Sequence, residues 1–197
     1  RQPETPTAPR LRPSLAFKAS PLAAMGVIVA SLSGATFRMV GPLYGERVGL
    51  AIDQIAYFLA VFILGGALAQ IPVGWLADKY DRRYVMIGLS IAAIISCIGT
   101  ASLQGLSPTG IMLTAFFFGL TSFPIYSVAA AHANDFATPE QRVELAAALM
   151  FCFALGATAA PLVASRLIES YGPSAMFVML AASHGVLITF RVVRMRV

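Results

Sequence analysis

The stretch DQIAYFLAVFILGGALAQIPVGWLA, residues 53–77, carries no charged side chain after Asp53. A helix needs about 20 apolar residues to cross roughly 30 Å of hydrocarbon at 1.5 Å per residue, and this stretch meets that length. Working outward, five more stretches read the same way: Pro21–Leu43, Tyr84–Gln104, Thr109–Ala133, Val143–Ser165 and Pro173–Phe190. The joints between them carry turn and boundary residues: Gly45 and Gly49, the charged run Asp78–Arg83, Gly105 with Pro108, Asn134 to Pro139, and Gly172 with Pro173. Membrane-crossing strands would alternate in polarity over about 10-residue segments, and none of these stretches does. Six helices with almost no polar face cannot all hide in one small soluble core. The expected fold is therefore all-α, a polytopic bundle of six transmembrane helices.

Composition agrees. Hydrophobic residues make up 58% of the 197 and charged residues 12%, against about 45–50% and 25% in soluble domains. That excludes disorder, a nucleic-acid-binding domain and a small disulfide scaffold. Cys97 and Cys152 sit inside apolar stretches, and their spacing suggests neither a disulfide framework nor a metal site. The net charge of +5 reads as topology rather than as a basic partner surface. An even number of crossings returns both ends to one side. Of the 14 basic residues, only Arg47 and Arg166 fall on the opposite side, and Arg38 lies within a span. Basic excess marks the cytoplasmic side, so both termini are expected there.

Residues 1–20 differ from the rest. Pro3, Pro6, Pro9 and Pro13 are interspersed with Arg1, Arg10, Arg12 and Lys18, which reads as an extended, solvated linker or tail. Residues 21–193 form the membrane unit and 194–197 a short cytoplasmic tail. A chain starting at Arg1 in a Pro-rich segment reads as the middle of a longer one.

The connection after the second stretch is the sharpest local signal: Gly74-Trp75-Leu76-Ala77-Asp78-Lys79-Tyr80-Asp81-Arg82-Arg83. Gly74 would let another helix approach closely, and Asp78 can face the positive N-terminal end of a neighbouring helix. Arg82 and Arg83 can pair with acids or anionic headgroups. The competing reading is a solvated loop with no role beyond topology.

This loop resembles the signature of the major facilitator superfamily: Gly, any residue, Leu, Ala or Ser, Asp, Lys or Arg, any residue, Gly, Arg, Arg. Gly74, Leu76, Ala77, Asp78, Lys79, Arg82 and Arg83 match, and Asp81 stands where Gly is usual. Asp tolerates the left-handed backbone that Gly would adopt there better than most residues do. Pro124-Ile125-Tyr126-Ser127, Ala131 to Asp135 and Pro139-Glu140 are similar to the tenth helix and following loop of a YcaD-like bacterial branch whose substrate is unassigned. Gly156 to Leu162 is similar to the family's Gly-x-x-x-Gly-Pro-Leu pattern, with Ala160 in place of the second Gly. Ser20-Pro21-Leu22 is similar to the entry into the seventh helix. The resemblance implies helices seven to twelve, the C-terminal half of a twelve-helix transporter of a bacterial inner membrane. It also implies a conformational latch at Gly74, Asp78, Lys79, Arg82 and Arg83, with the Asp pairing against the other half. That half is expected upstream in the same chain; a separately encoded half or a second copy are the alternatives.

Other residues are read for what they can do. Gly26, Ala30, Ser33, Gly34 and Gly41 recur at helical spacing and suggest a small-residue packing face. Arg38, four residues after Gly34, is either a cavity cation for an anionic substrate or a side chain snorkelling to headgroups, since an arginine costs about 2.5–3.5 kcal/mol at the bilayer centre. Gln70 and Tyr126 are the other candidate cavity residues, against plain interhelical bonding or packing. Tyr57 reads as an interfacial aromatic. Gly34, Gly66, Pro124, Gly156 and Pro161 are candidate kink and close-packing positions. His132 and Asp135 can touch, and their role stays open between capping and proton handling. His184 reads as a packed histidine.

No His-Glu-x-x-His or Gly-x-Ser-x-Gly occurs, and no cofactor or metal is expected. The expected function is secondary active transport of a small solute by alternating access, with lipid and substrate as partners and no nucleic acid. A non-transporting scaffold on the same bundle is the alternative.

Overall fold

The computed structural model describes residues 12–102 and 107–194. Expectations resting on residues 1–11, on Gln104 and Gly105, and on the tail beyond Arg194 lie outside them. The elements are α1 (Ser14–Ala19), α2 (Pro21–Arg47), α3 (Ile52–Lys79), α4 (Arg82–Ser102), α5 (Pro108–Ser122), α6 (Ile125–Asn134), α7 (Arg142–Tyr171) and α8 (Ser174–Arg194), with a 3-10 turn at Pro139–Gln141. Six helical segments are long and apolar enough to cross a membrane, α5 and α6 together making one of them. The helices run several residues beyond the apolar stretches, since a helix keeps its own backbone bonds through the polar ends. One expectation is corrected. The end of the supposed extended linker is helical over Ser14–Ala19, and Ala16 is fully buried against the bundle.

α2 is the central helix. It packs along α7 and also touches α6, α8 and α3, so it buries residues on every side. Small side chains at many of its positions permit that. α3 lies along α5, and α4 along α8. The core falls into two clusters. One, towards the start of α2, gathers Ala23, Val27, Met86, Ala129, Leu145 and Leu149. The other is aromatic: Phe37 stacks on Phe62 with centroids 3.9 Å apart and on Phe58 at 4.7 Å. Between them Ser33 Oγ hydrogen-bonds His184 Nε2 at 3.1 Å, so His184 is a packed, fully buried histidine.

The tightest contact joins α3 to α5. A Cβ added to Gly65 would sit 2.2 Å from the carbonyl oxygen of Phe116, and one on Gly119 would sit 2.0 Å from that of Phe62. The two backbones touch there, with no room for any side chain. Gly66 faces the Phe123 ring, 2.5 Å from where its Cβ would be, and Gly156 faces Ser31 Oγ on α2 at 2.1 Å. Gly34 is different: it approaches no other helix, and its Cβ would meet only the Arg38 guanidinium. The close-packing expectation for Gly34 is therefore corrected. Gly74 likewise has nothing within 4 Å among the described residues.

The two mid-span prolines act differently. α5 ends at Ser122, and α6 restarts after Pro124. Pro124 has no N–H to give the Leu120 carbonyl, which breaks the ladder. α7 runs on through Pro161 as one helix, and ends where Gly172 takes φ 87°, a value favouring glycine.

Gly119→Ala should overpack the α3–α5 seam, at a cost of about 1–3 kcal/mol. That corresponds to a fall of about 2–12 °C in the unfolding midpoint. Cys97 and Cys152 are buried free thiols, so labelling by a thiol-reactive dye during heating reads the transition. Gly99→Ala, whose Cβ meets nothing within 4 Å, should leave the midpoint in place. Equal midpoints for both variants would contradict backbone contact between α3 and α5.

Candidate functional site

Where the two core clusters meet, α2, α3, the α5–α6 break and α7 leave a cleft of about 280 Å³. α2 contributes Ala30, Gly34 and Arg38; α3 contributes Phe62 and Gln70. The break supplies Ser122, Phe123, Tyr126 and Ser127, and α7 supplies Met150 and Phe153. The three residues read from sequence as cavity candidates, Arg38, Gln70 and Tyr126, thus line one space although they come from three helices.

Each wall has a local cause. Side chains on a helix tilt towards its N-terminus. Arg38 does so, and its Nε donates to the Gly34 carbonyl at 3.0 Å. The guanidinium lies back over Gly34, where an added Cβ would stand 3.4 Å from Nη2. At the break, Thr121 Oγ1 donates to the carbonyls of Phe117 (2.9 Å) and Phe118 (3.1 Å), and Ser122 Oγ donates to Phe118 at 2.7 Å. These bonds satisfy the last turn of α5 where Pro124 interrupts the ladder. The interruption turns Phe123, Tyr126 and Ser127 towards one side. Ser127 Oγ donates to Gln70 Oε1 at 3.2 Å, tying α6 to α3. The Tyr126 hydroxyl reaches Met150 Sδ at 3.3 Å, and its ring meets Phe153 edge-on at 5.5 Å.

The cleft therefore offers a guanidinium on one wall, an amide–hydroxyl pair on another, and aromatic or thioether surface elsewhere. One of the five guanidinium N–H groups is spent on Gly34, leaving the others available. Sequence reasoning missed Ser122, Ser127 and Met150. Ser127 was detectable, since it follows Tyr126 and stands three positions after the helix-breaking Pro124.

The charged loop is built differently from the expectation. Tyr80 ends α3 in extended conformation, and Asp81 Oδ1 accepts the Arg83 backbone N–H at 2.9 Å. Asp81 thus caps α4, and no non-glycine residue among those described has a positive φ. The left-handed turn that Gly would favour at this position is replaced by an Asp cap. Arg82 Nη1 pairs with Asp135 and also donates to the Ala131 carbonyl at 3.3 Å, fastening the start of α4 to the end of α6. Asp78 is only a distant second partner of Arg82 at 3.5 Å, and its side chain is 79% exposed. Gly74 and Asp78, one helical turn apart, therefore present an open face. Lys79 lies over the Trp75 ring at 4.7 Å, and Arg83 over Phe136 at 5.9 Å. His132, buried edge-on against Phe136, stands 4.0 Å from Asp135, whose carboxylate is engaged by Arg82. Among the described residues no three His, Cys, Asp or Glu side chains gather as a metal site.

Known proteins share this architecture. The uncharacterized MFS-type transporter YcaD of Salmonella newport and that of Salmonella heidelberg are each 29% identical over 157 residues, which is 80% of this chain and 38% of the relative. The chain thus spans well under half the length of these relatives. Among solved structures, the POT family transporter PepTSo superposes with a TM-score of 0.74 at 15% identity, over 95% of this chain and 37% of that one. The likeness extends to the fold. The Major Facilitator Superfamily model matches residues 23–196, which take in α2 to α8 almost entirely, and the chain belongs to that family.

Proposed function

We propose that the chain is the C-terminal half of a secondary transporter that carries a small organic anion across a bacterial inner membrane by alternating access. The observation that carries this reading is the meeting of Arg38, Gln70 and Tyr126 in one cleft. A guanidinium with free donors recognises a carboxylate or a similar anion through charge-assisted hydrogen bonds. Phe62, Phe123 and Phe153 around it suit an apolar or aromatic body. An arginine in a membrane-spanning helix is costly, and one that lies back over Gly34 rather than reaching outward is better explained by a ligand than by headgroups.

The second half of the cavity would come from a further six-helix bundle. The chain covers 38% of the YcaD relatives and 37% of PepTSo, which leaves room in such proteins for a half of similar size. The open face of Gly74 and Asp78 is where that bundle would dock in one state. The positive end of one of its helices would face Asp78. Arg82 would keep the α3–α4 turn rigid through Asp135 while the halves rock. Both ends of the described bundle lie on one face, since Ser20 and Leu22 of the α2 start and Arg191 of the α8 end line one cavity. The basic excess on that face supports its assignment to the cytoplasm.

Proteoliposomes holding the complete transporter should accumulate aromatic or aliphatic carboxylates, and not the matched amines or amides. Arg38→Ala should lower initial carboxylate uptake about tenfold or more, the loss of one charge-assisted contact, and Arg38→Lys should retain part of it. Transport confined to cations, or full uptake by Arg38→Ala, would remove the anion reading. For the latch, Asp78→Asn should raise the labelling of Ser127→Cys from the terminal side several-fold, as the inward-open population grows. An unchanged rate would leave Asp78 without that role.

A further inference from the structure

The end of the bundle that carries both described termini holds a second cavity, of about 230 Å³, between the starts of α2 and α4 and the ends of α6 and α8. Arg83, Arg191 and His132 line it, together with Ser20 and Leu22 of the α2 start, and no carboxylate does. We propose that this cavity binds a phosphate group, borne either by an anionic lipid headgroup or by a soluble phosphate.

Three independent features converge on it. The first is charge. Two guanidinium groups share a wall without an acid, and neither forms an ion pair among the described residues. Of the nearby acids, Asp135 is paired with Arg82 and Asp81 caps α4 through the Arg83 backbone N–H; both line the adjoining surface on the other side of Arg83 and His132, not this cavity. Two guanidinium groups on a lining without a carboxylate offer open donors to an anion, and planar guanidinium forks match phosphate oxygens in pairs.

The second feature is unmet hydrogen bonding. The Nε of Arg191 is buried with no partner, and such a donor carries a desolvation cost until an acceptor arrives. His132 is 5% exposed and also faces the cavity. The third is the backbone. α2 is 27 residues long, and its first turn opens into this space. Pro21 has no N–H to offer, and Ser20 takes the N–H groups of Ala23 (Oγ, 3.2 Å) and Ala24 (carbonyl, 3.0 Å), so the open donor of this first turn is the Leu22 N–H, beside the positive end of the helix. The volume exceeds that of a phosphate group and leaves room for several waters, at about 30 Å³ each. The site lies apart from the cleft of Arg38 and shares no lining residue with it, so it stands whether or not the transport reading does.

The test uses the complete protein in lipid nanodiscs and reads the unfolding midpoint by thiol labelling. One arm compares phosphatidylcholine discs with discs containing phosphatidylglycerol; the other titrates inorganic phosphate into phosphatidylcholine discs. A rise of about 2–4 °C is expected in one arm, and which arm responds names the source of the phosphate. Arg191→Gln is the deciding variant, because Arg191 makes no described bond to another helix and its loss leaves the fold's own bonds intact. Arg191→Gln and Arg83→Gln should each remove at least half of the rise, and Arg191→Lys should keep part of it. Arg142→Gln deletes the same charge from an exposed site on this face outside the cavity, and should leave the rise whole. No rise in either arm, a full rise in Arg191→Gln, or equal loss in Arg142→Gln would overturn the proposal.

Discussion

In hydrocarbon no hydrophobic force draws one helix to another, so close backbone approach has to supply the attraction, and in this bundle the closest approach is that of α3 to α5 at Gly65 and Gly119. That contact fixes where α5 lies along α3. It therefore fixes the height at which Pro124 interrupts the helix, and puts Phe123 over Gly66. The residues that follow the break can then reach α3, as Ser127 does at Gln70. Had the seam carried side chains, α5 would stand off by an atom's width or more. The Ser127–Gln70 bond, the Phe62–Phe123 ring contact and the shape of the cleft would change together. A local absence of side chains thus sets the geometry of the site that adjoins it.

The charged loop shows a second division of labour, between what is fixed and what is left open. Arg82 lies at the start of a helix, where a cation opposes the dipole, yet it is held by Asp135 and the Ala131 carbonyl at the end of another helix, where a cation is favoured. The unfavourable placement at one terminus is offset by the favourable one at the other, and the pairing joins α4 to α6 across the surface. Asp81 adds a cap to the α4 start. With these groups committed within the bundle, Asp78 retains its exposure, and the adjoining Gly74 leaves space for an approaching helix. The loop is held by its inner contacts and open on its outer face.

Much of this was legible in the sequence, and the misses follow one rule. Length and apolarity gave the six crossings because a bilayer demands them of each segment separately, with no reference to the neighbours. The loop motif was legible because its residues are contiguous. Contacts between helices were not. Arg82 and Asp135 are 53 positions apart, and nothing in the local sequence of either names the other. The reading of Gly34 failed for a related reason. Helical spacing groups Gly34 with Gly26, but it cannot separate a glycine that meets another helix, as Gly26 meets Ala129, from one that lies under an arginine of its own helix. The segment before α2 was misread because proline density describes residues up to Pro13, whereas Ser14–Ala19 carries none and can fold against the bundle. Arg38, Gln70 and Tyr126 were each identifiable as polar groups in apolar surroundings, which is a local property. That they share one cleft is not.

The two cavities differ in what arginine does in each, and this difference follows from depth. Arg38 lies within a span, where its guanidinium folds onto its own helix and takes the Gly34 carbonyl as a partial substitute for water. One bond does not satisfy five donors, so the group keeps an unmet demand that a transient anion could meet and then release. A site that binds too completely would hold its ligand; a donor only partly satisfied by its own backbone can exchange. Arg83 and Arg191 stand at the end of the bundle, beside the first turn of α2, where two cations and a helix terminus act on the same space. Their fields add, and no carboxylate on the wall competes. Such a place favours a resident anion over a passing one. Binding there would stitch α2, α4 and α8 together at the face from which Asp78 also projects.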